Sequence, residues 1–299
     1  MCERGATDIH QHLWPEALVE RLRTRKRPPR LDGWTLHLPG EPPIAVRPED
    51  HDPLRRACLD PGLRRIAVSL SGSLGIEHLQ PGEAAPLLDA WHHGVRELPE
   101  PFVGWASAHL AEPDHDGLTA LLRDRLIGLQ LPATALATPT ALEKLAPLLA
   151  VAEAAGKPVL VHPGRRQPSE EPTPPWWPAV VGHVGQMHAA WWSWYTAGRA
   201  LLPRLRICFA AAAGLAPVHH ERFTTHGGGR LRLDPRVFVD TSSYGRQALD
   251  AVARVLGIDA LVLGSDRPCA APGAPELGAA AEHAVHVSNP CHLLEGVRP

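Results

Sequence analysis

Lysine is almost missing from this chain: among 299 residues only Lys26, Lys144 and Lys157 occur. Positive charge is carried by arginine, and the 30 basic residues are outnumbered by 32 acidic ones, for a net charge of −2. That balance excludes the strongly basic signature of a nucleic-acid-binding domain. The run Arg21 to Arg30 is then read as a solvated face rather than a nucleic-acid patch. Cysteine is scarce, odd in number and without a C-x-x-C pair (Cys2, Cys58, Cys208, Cys269, Cys291). The spacing describes neither a disulfide framework nor a thiolate zinc site. No apolar run is long enough to span a bilayer, and the charged N-terminus lacks a signal core. A soluble, cytoplasmic protein with no membrane partner is expected. No G-x-G-x-x-G or P-loop follows any early strand, which weakens a nucleotide-binding open sheet. The abundance of Ala, Pro, Gly and Arg suggests a GC-rich bacterial source.

Histidine is what the chain has in excess, with 18 copies beside 9 Trp and only 2 Tyr. Histidine is the commonest metal ligand and titrates near neutral pH. Most of these histidines lie in helical or loop patterns without ligand spacing, where an exposed or structural role is the ordinary one. Choosing among them needs the chain's architecture.

Short apolar runs recur along the sequence: Ala6–His12, Arg65–Leu70, Phe102–Ala106, Leu126–Leu131, Pro158–His162, Leu205–Ala210, Val237–Thr241 and Leu261–Ser265. They are continuous rather than alternating, as strands buried on both faces should be. Helical patterns separate them, over Glu83–Leu98, Gly117–Asp124, Ala141–Ala155 and Arg246–Leu256. Eight strand–helix units in about 250 residues predict an α/β fold, a (β/α)₈ TIM barrel, as one domain over 1–299. Two stretches break the rhythm. Residues 28–53 are Pro-rich and predict a small hairpin, Trp34–Leu38 with Ile44–Val46, inserted after the first strand. Residues 163–178, PGRRQPSEEPTPPWWP, form a long loop after the fifth strand, at the barrel mouth where active sites sit.

In a barrel the strand ends converge on one axis. The first strand ends Asp8-Ile-His10-Gln-His12, and residues two apart in an extended strand face the same side. The fifth strand ends in His162 and the eighth is followed by Asp266. Three imidazoles and a carboxylate suit a divalent ion such as Zn²⁺, with an open position for water or substrate. Arg165, Arg166 and Arg267 stand beside these ends and are candidates for binding a substrate carboxylate, with solvent exposure as the equal alternative. Trp176 and Trp177 in the mouth loop are candidates to roof a pocket for a flat, apolar substrate, a small molecule.

These segments resemble the amidohydrolase superfamily, in the branch of 2-amino-3-carboxymuconate 6-semialdehyde decarboxylase and related aromatic-acid decarboxylases. TDIHQHLWP is similar to that branch's opening D-x-H-x-H-x-x-P. GKPVLVHPG is similar to its fifth-strand His segment, LLPRLRICFAAAAGLAP to its sixth-strand segment, and DALVLGSDRP to its closing G-S/T-D-x-P. The resemblance runs from about Thr7 to Pro268. It implies that His10, His12, His162 and Asp266 are mononuclear metal ligands and that Asp8 holds an imidazole in place. It implies metal-dependent decarboxylation or hydrolysis of a small carboxylated cyclic or aromatic compound. Relatives are often dimeric, so a homodimer is one implied state. The fourth strand ends Gln130-Leu-Pro132, without the carboxylated Lys of two-metal relatives.

One departure stands out. The family's sixth-strand acid/base His falls on Ala211, which can neither transfer a proton nor bind a metal. General acid/base help is worth about 10²–10⁴-fold. Three readings remain open. Another group supplies it: Asp266, as in metal-free lactonases, or His109, His183 or His188. Alternatively the reaction is an isomerisation or cyclisation that needs no such base. Alternatively the chain is a non-catalytic, binding relative.

Overall fold

The computed structural model describes residues 5–166, 172–270 and 277–296. The middle of the loop read over 163–178 and residue Cys2 therefore lie outside the described residues.

Eight short strands run parallel. The first sheet joins β1 (Ala6–Gln11), β5 (Leu63–Val68) and β6 (Phe102–Gly104). The second runs in the order β7 (Leu129–Pro132), β8 (Val159–His162), β9 (Ile207–Phe209), β10 (Val237–Asp240) and β11 (Leu261–Val262). Every pairing within these two sheets is parallel. Main-chain hydrogen bonds also cross between the sheets. Ala106 N–H donates to Gly128 and Gln130 N–H to Ala106 on one side. On the other, Ile9 N–H donates to Leu263 and Asp266 N–H to His10.

Helices follow the strands: α1 (Glu16–Thr24), α2 (Pro53–Leu59), α3 (Pro81–Glu97), α4 (His115–Arg123), α5 (Pro139–Ala154), α6 (His183–Ser193), α7 (Arg199–Leu201), α8 (His220–Phe223) and α9 (Arg246–Leu256). Several start where residue chemistry says they should. Asp52 caps α2, Asp114 caps α4 and Thr138 caps α5, each accepting a first-turn N–H that would otherwise lack a partner. Apolar Leu249 and Val252 of α9 are buried, one helical turn apart. The strands are buried on both faces, with Ile9, Ile66, Leu131, Leu160, Phe209 and Val239 fully inside. Two indoles tie this core to the backbone: Trp105 Nε1 donates to Ile9 and Trp91 Nε1 to Trp105, at 2.9 and 3.0 Å.

The insertion differs from the expected two-stranded hairpin. It has three antiparallel strands, β2 (Arg30–Asp32), β3 (Thr35–His37) and β4 (Ile44–Ala45). The extra strand comes from the end of the basic run, where Gly33 at φ 58° turns β2 into β3. His51 anchors the insertion by stacking on Trp14 and Trp34, with ring centroids 4.3 and 5.8 Å away. Its Nδ1 accepts the Trp14 N–H at 3.0 Å. Burial pushes its pKa down to about 4, so the acceptor nitrogen stays unprotonated at neutral pH.

Cys58, Cys208 and Cys269 are free thiols, while Cys291 is disulfide-bonded, which the cysteine spacing did not disclose. No helix among the described residues is long and apolar enough to cross a membrane.

Candidate metal centre

The carboxyl ends of β1, β8 and β11 meet. His10, His12, His162 and Asp266 offer ligand atoms that all lie within 4.8 Å of one another. The imidazole centroids are 5.2, 4.7 and 4.8 Å apart, with planes nearly perpendicular. The β1–β5 register shifts between Asp8 and Gln11, an irregularity that re-aims the end of the strand.

Hydrogen bonds decide which nitrogen of each ring faces the centre. His12 Nδ1 donates to the Ser69 carbonyl at 2.9 Å, and His162 Nδ1 donates to the Pro163 carbonyl at 2.7 Å. A carbonyl can only accept, so each Nδ1 carries the proton and each neutral ring leaves Nε2 with a bare lone pair. Yet the two Nε2 atoms face each other at 3.1 Å. His10 Nδ1 lies 2.6 Å from Asp240 Oδ2, which sends its Nε2 to the same point. His10 Nε2 and Asp266 Oδ1 are buried without a hydrogen-bond partner among the described residues. Three imidazole nitrogens and one carboxylate oxygen therefore converge on one point. The donor set fits a divalent ion with open coordination.

The electrostatics agree. Burial alone would lower the His10 pKa, but the Asp240 carboxylate and its hydrogen bond raise it to about 9. Burial and the neighbouring His10 and His12 hold His162 well below the ordinary value. Burial would raise Asp266, yet the imidazoles of His12, His10 and His162 around it hold its carboxyl well below the usual carboxylate range. The set therefore offers an anion and a neutral imidazole, as metal ligation requires.

Asp240 is the residue the sequence reading missed. Its Oδ1 accepts from Ala211 N–H at 2.8 Å, Ser242 N–H at 3.0 Å and the Ser242 hydroxyl at 2.6 Å. The signal was visible only as a carboxylate at the end of the seventh apolar run. Gly264 makes room for it: a Cβ there would come within 2.7 Å of Asp240 Oδ2. Asp8 takes a different part from the expected one. It holds no imidazole. Its Oδ1 accepts the backbone N–H of His10 and Ser265 at 3.0 and 3.1 Å, and its Oδ2 accepts from Gln11 Nε2 at 2.8 Å. It thus staples β1 to the segment after β11. Arg56, only 2% exposed, continues this network to the Gln11 side chain and the carbonyls of His12 and Asp50.

The other candidates scatter. Arg267 is paired with Asp60 at 3.0 Å. Arg165 donates to the Pro39 carbonyl of the insertion. Arg166 reaches Thr173 at 3.3 Å. Trp176 and Trp177 pair with each other at the rim and are 54% and 41% exposed, so solvent rather than a cavity covers much of each ring. His109 has both ring nitrogens engaged: Nε2 donates to Leu79 at 2.8 Å and Nδ1 accepts from Glu112 N–H at 2.9 Å. His188 Nε2 donates to Gly214 at 2.7 Å, and its ring packs on His219.

The turn after β9, which holds Ala211, is unusual. Ala211, Ala212, Ala213, Gly214 and Leu215 have φ of 48°, 47°, 55°, 60° and 64°. Four of these carry a Cβ, and left-handed backbone costs such residues about 1–2 kcal/mol each. Helix α6 spans from this turn to the His162 loop. Gln186 of α6 accepts the Gly164 N–H at 2.8 Å and donates to the Arg165 carbonyl at 3.1 Å. His183, one turn earlier on α6, is partly buried, and both the Asp266 carboxylate and the Arg166 guanidinium act on its imidazole. Burial holds its pKa below the ordinary value.

No protein-family model and no curated relative matches the chain. Solved structures do. The 5-carboxyvanillate decarboxylase of Sphingomonas paucimobilis matches at 19% identity and TM-score 0.72, over 98% of this chain and 99% of that one. The counterpart from Novosphingobium aromaticivorans, solved with bound manganese and a nitrobenzoic acid, matches at 15% identity and TM-score 0.72, over 98% and 97%. The 2,6-dihydroxybenzoate decarboxylase of Rhizobium matches at 15% identity and TM-score 0.68, over 98% and 99%. The chain shares the fold of these aromatic-acid decarboxylases.

Proposed function

We propose that this protein is a single-domain, divalent-metal-dependent enzyme of the amidohydrolase type, and that it decarboxylates a small aromatic carboxylic acid. The observation that carries the reading is the convergence of three imidazole nitrogens and a carboxylate oxygen, all buried or nearly so, inside 4.8 Å. The hydrogen bonds across both sheet seams support reading the eight parallel strands as a (β/α)₈ barrel with this centre at its mouth. The whole-length likeness to decarboxylases, one of them solved with manganese, supports the reaction class.

His10, His12, His162 and Asp266 would hold the ion, with zinc favoured by the three imidazoles. When bound, a divalent ion polarises substrate oxygen as a Lewis acid. Arg166, whose guanidinium acts on His183, would supply a cation for a substrate carboxylate or phenolate. Decarboxylation breaks the ring-carbon to carboxylate bond, leaves the electron pair on carbon and requires a proton there. His183 is the group we assign to deliver it, in place of the imidazole absent at Ala211. His109 and His188 are bonded to main chain and stay structural.

The test is metal analysis with a turnover panel. Purified protein should carry about one divalent ion per chain, release CO₂ from 5-carboxyvanillate or a dihydroxybenzoate, and lose that turnover on chelation. His162→Ala should lose both metal and turnover. Protein without stoichiometric metal whose turnover survives chelation would overturn the metal mechanism in favour of an Asp266-based, lactonase-like hydrolase. Binding without any turnover would indicate a non-catalytic relative.

A further inference from the structure

A cavity of about 850 Å³ lies on the other side of the strands from the metal centre. Val237, the first residue of β10, and Ala260, just before β11, line it. Those are the amino-terminal ends of strands whose opposite ends carry Asp240 and lead to Asp266. None of the four metal-ligand residues lines this space. Its walls come from Trp191 and Trp194, from Phe223 of α8, and from the segment 228–235. Tyr195 pins that segment in place, donating to the Arg230 carbonyl at 3.2 Å and accepting from Arg232 N–H at 2.8 Å.

Two hydrogen-bond donors in these walls are buried and unanswered. Trp191 is 4% exposed, and its Nε1 has no partner among the described residues. Arg199 spends Nε on Asp234 at 2.6 Å and Nη1 on the carbonyls of Leu202 and Leu205 at 2.9 and 3.0 Å. Its Nη2 is buried without a partner. A buried donor left unsatisfied is costly, so such groups mark a missing acceptor. The charge around them favours an anionic one. Arg199, Arg230 and Arg232 all line the cavity, and Asp234 is already spent on Arg199. The aromatic walls ask for an apolar body of modest size.

We propose that this cavity is a second binding site, for an amphipathic organic acid: a carboxylate received by Arg199 and Trp191, and an apolar tail among Trp194 and Phe223. Arg199 Nη2 and Trp191 Nε1 each offer one donor for a carboxylate oxygen. The site is independent of the metal centre and of the reaction carried out there.

The probe is decanoate, titrated by calorimetry and by quenching of tryptophan fluorescence, with decanol as the uncharged control and with protein both metal-loaded and chelated. Decanoate should bind at least tenfold tighter than decanol, equally in both metal states. Arg199→Gln should weaken it by tenfold or more. Because Arg199 also holds Asp234, Leu233→Glu serves as the second variant. Leu233 lines the cavity but is 62% exposed, so an added carboxylate there should repel the ligand without unfolding the chain. Decanoate that binds no better than decanol overturns the proposal. So does binding unchanged in both variants, or binding lost when metal is loaded. Failure to bind together with a dimer that Leu233→Glu dissociates would mean a second copy of the chain fills this face, and would also overturn it.

Discussion

Replacing Asp240 with Asn keeps the shape of the side chain and removes its charge. Three donors converge on Oδ1, from Ala211, Ser242 N–H and the Ser242 hydroxyl, so that position must remain an oxygen. The new amide nitrogen then faces His10 Nδ1, which lies 2.6 Å away. An amide NH₂ cannot accept a proton there, so His10 must switch tautomer and accept instead. Its proton moves to Nε2, the atom that points at the centre, and one of four ligands is blocked. Losing such a support costs about 10–100-fold in metal affinity. That corresponds to about 1.4–2.8 kcal/mol, and the same amount should vanish from the stabilisation that saturating metal confers. The assay is competition with a chromophoric chelator, paired with thermal unfolding of apo and metal-loaded protein. Asp240→Asn with wild-type metal affinity and an intact apo transition would refute the tautomer argument.

Other outcomes follow from the same geometry. His183→Gln should lower kcat by about 10²–10⁴-fold with metal content retained, and adding Ala211→His should restore part of it; equal turnover in wild type and His183→Gln removes His183 from proton transfer. Glu77 is 1% exposed, and burial pushes its carboxyl up to about 7, with the Ser107 hydroxyl donating at 3.2 Å. The native state keeps a proton that the unfolded chain gives up above pH 4.5, so stability falls as pH rises from about 4.5 to 7 and is level beyond. The span is about 3 kcal/mol, and Glu77→Gln should abolish it, read as urea unfolding at pH 5 and pH 8. Ala212→Gly should cost almost nothing. Relief of about 1–2 kcal/mol of left-handed strain offsets a buried methyl worth about 0.8 and chain entropy of about 0.4–1 kcal/mol. A drop in Tm of several degrees would show that the turn is not strained.

The strands were legible because continuous apolar runs bounded by helix signals have few other uses. The cluster of His10, His12, His162 and Asp266 was legible because these residues stand at or just beyond the ends of such runs. The supports were not. Asp240, Arg56 and Gln130 are buried polar groups with partners far along the chain: His10 is 230 residues from Asp240, Gln11 45 from Arg56 and Leu70 60 from Gln130. Gln130 Nε2, for example, donates to the Leu70 carbonyl. Nothing local distinguishes such a residue from an exposed one. The insertion was seen but undercounted, because Arg30–Asp32 has too few apolar residues to announce a strand and pairs only once Gly33 turns it back.

By itself, then, the sequence determined the order of strands and helices and which histidines and carboxylate stand at the strand ends. Those depend on residue type and on periodicity along one chain. Tertiary structure alone decided which nitrogen of each imidazole faces the centre, that Asp240 rather than Asp8 orients His10, and that a second, arginine-edged cavity lies at the far ends of the same strands. Tautomers and orphaned donors are properties of pairs of groups. They exist only once segments hundreds of residues apart are packed within hydrogen-bond distance.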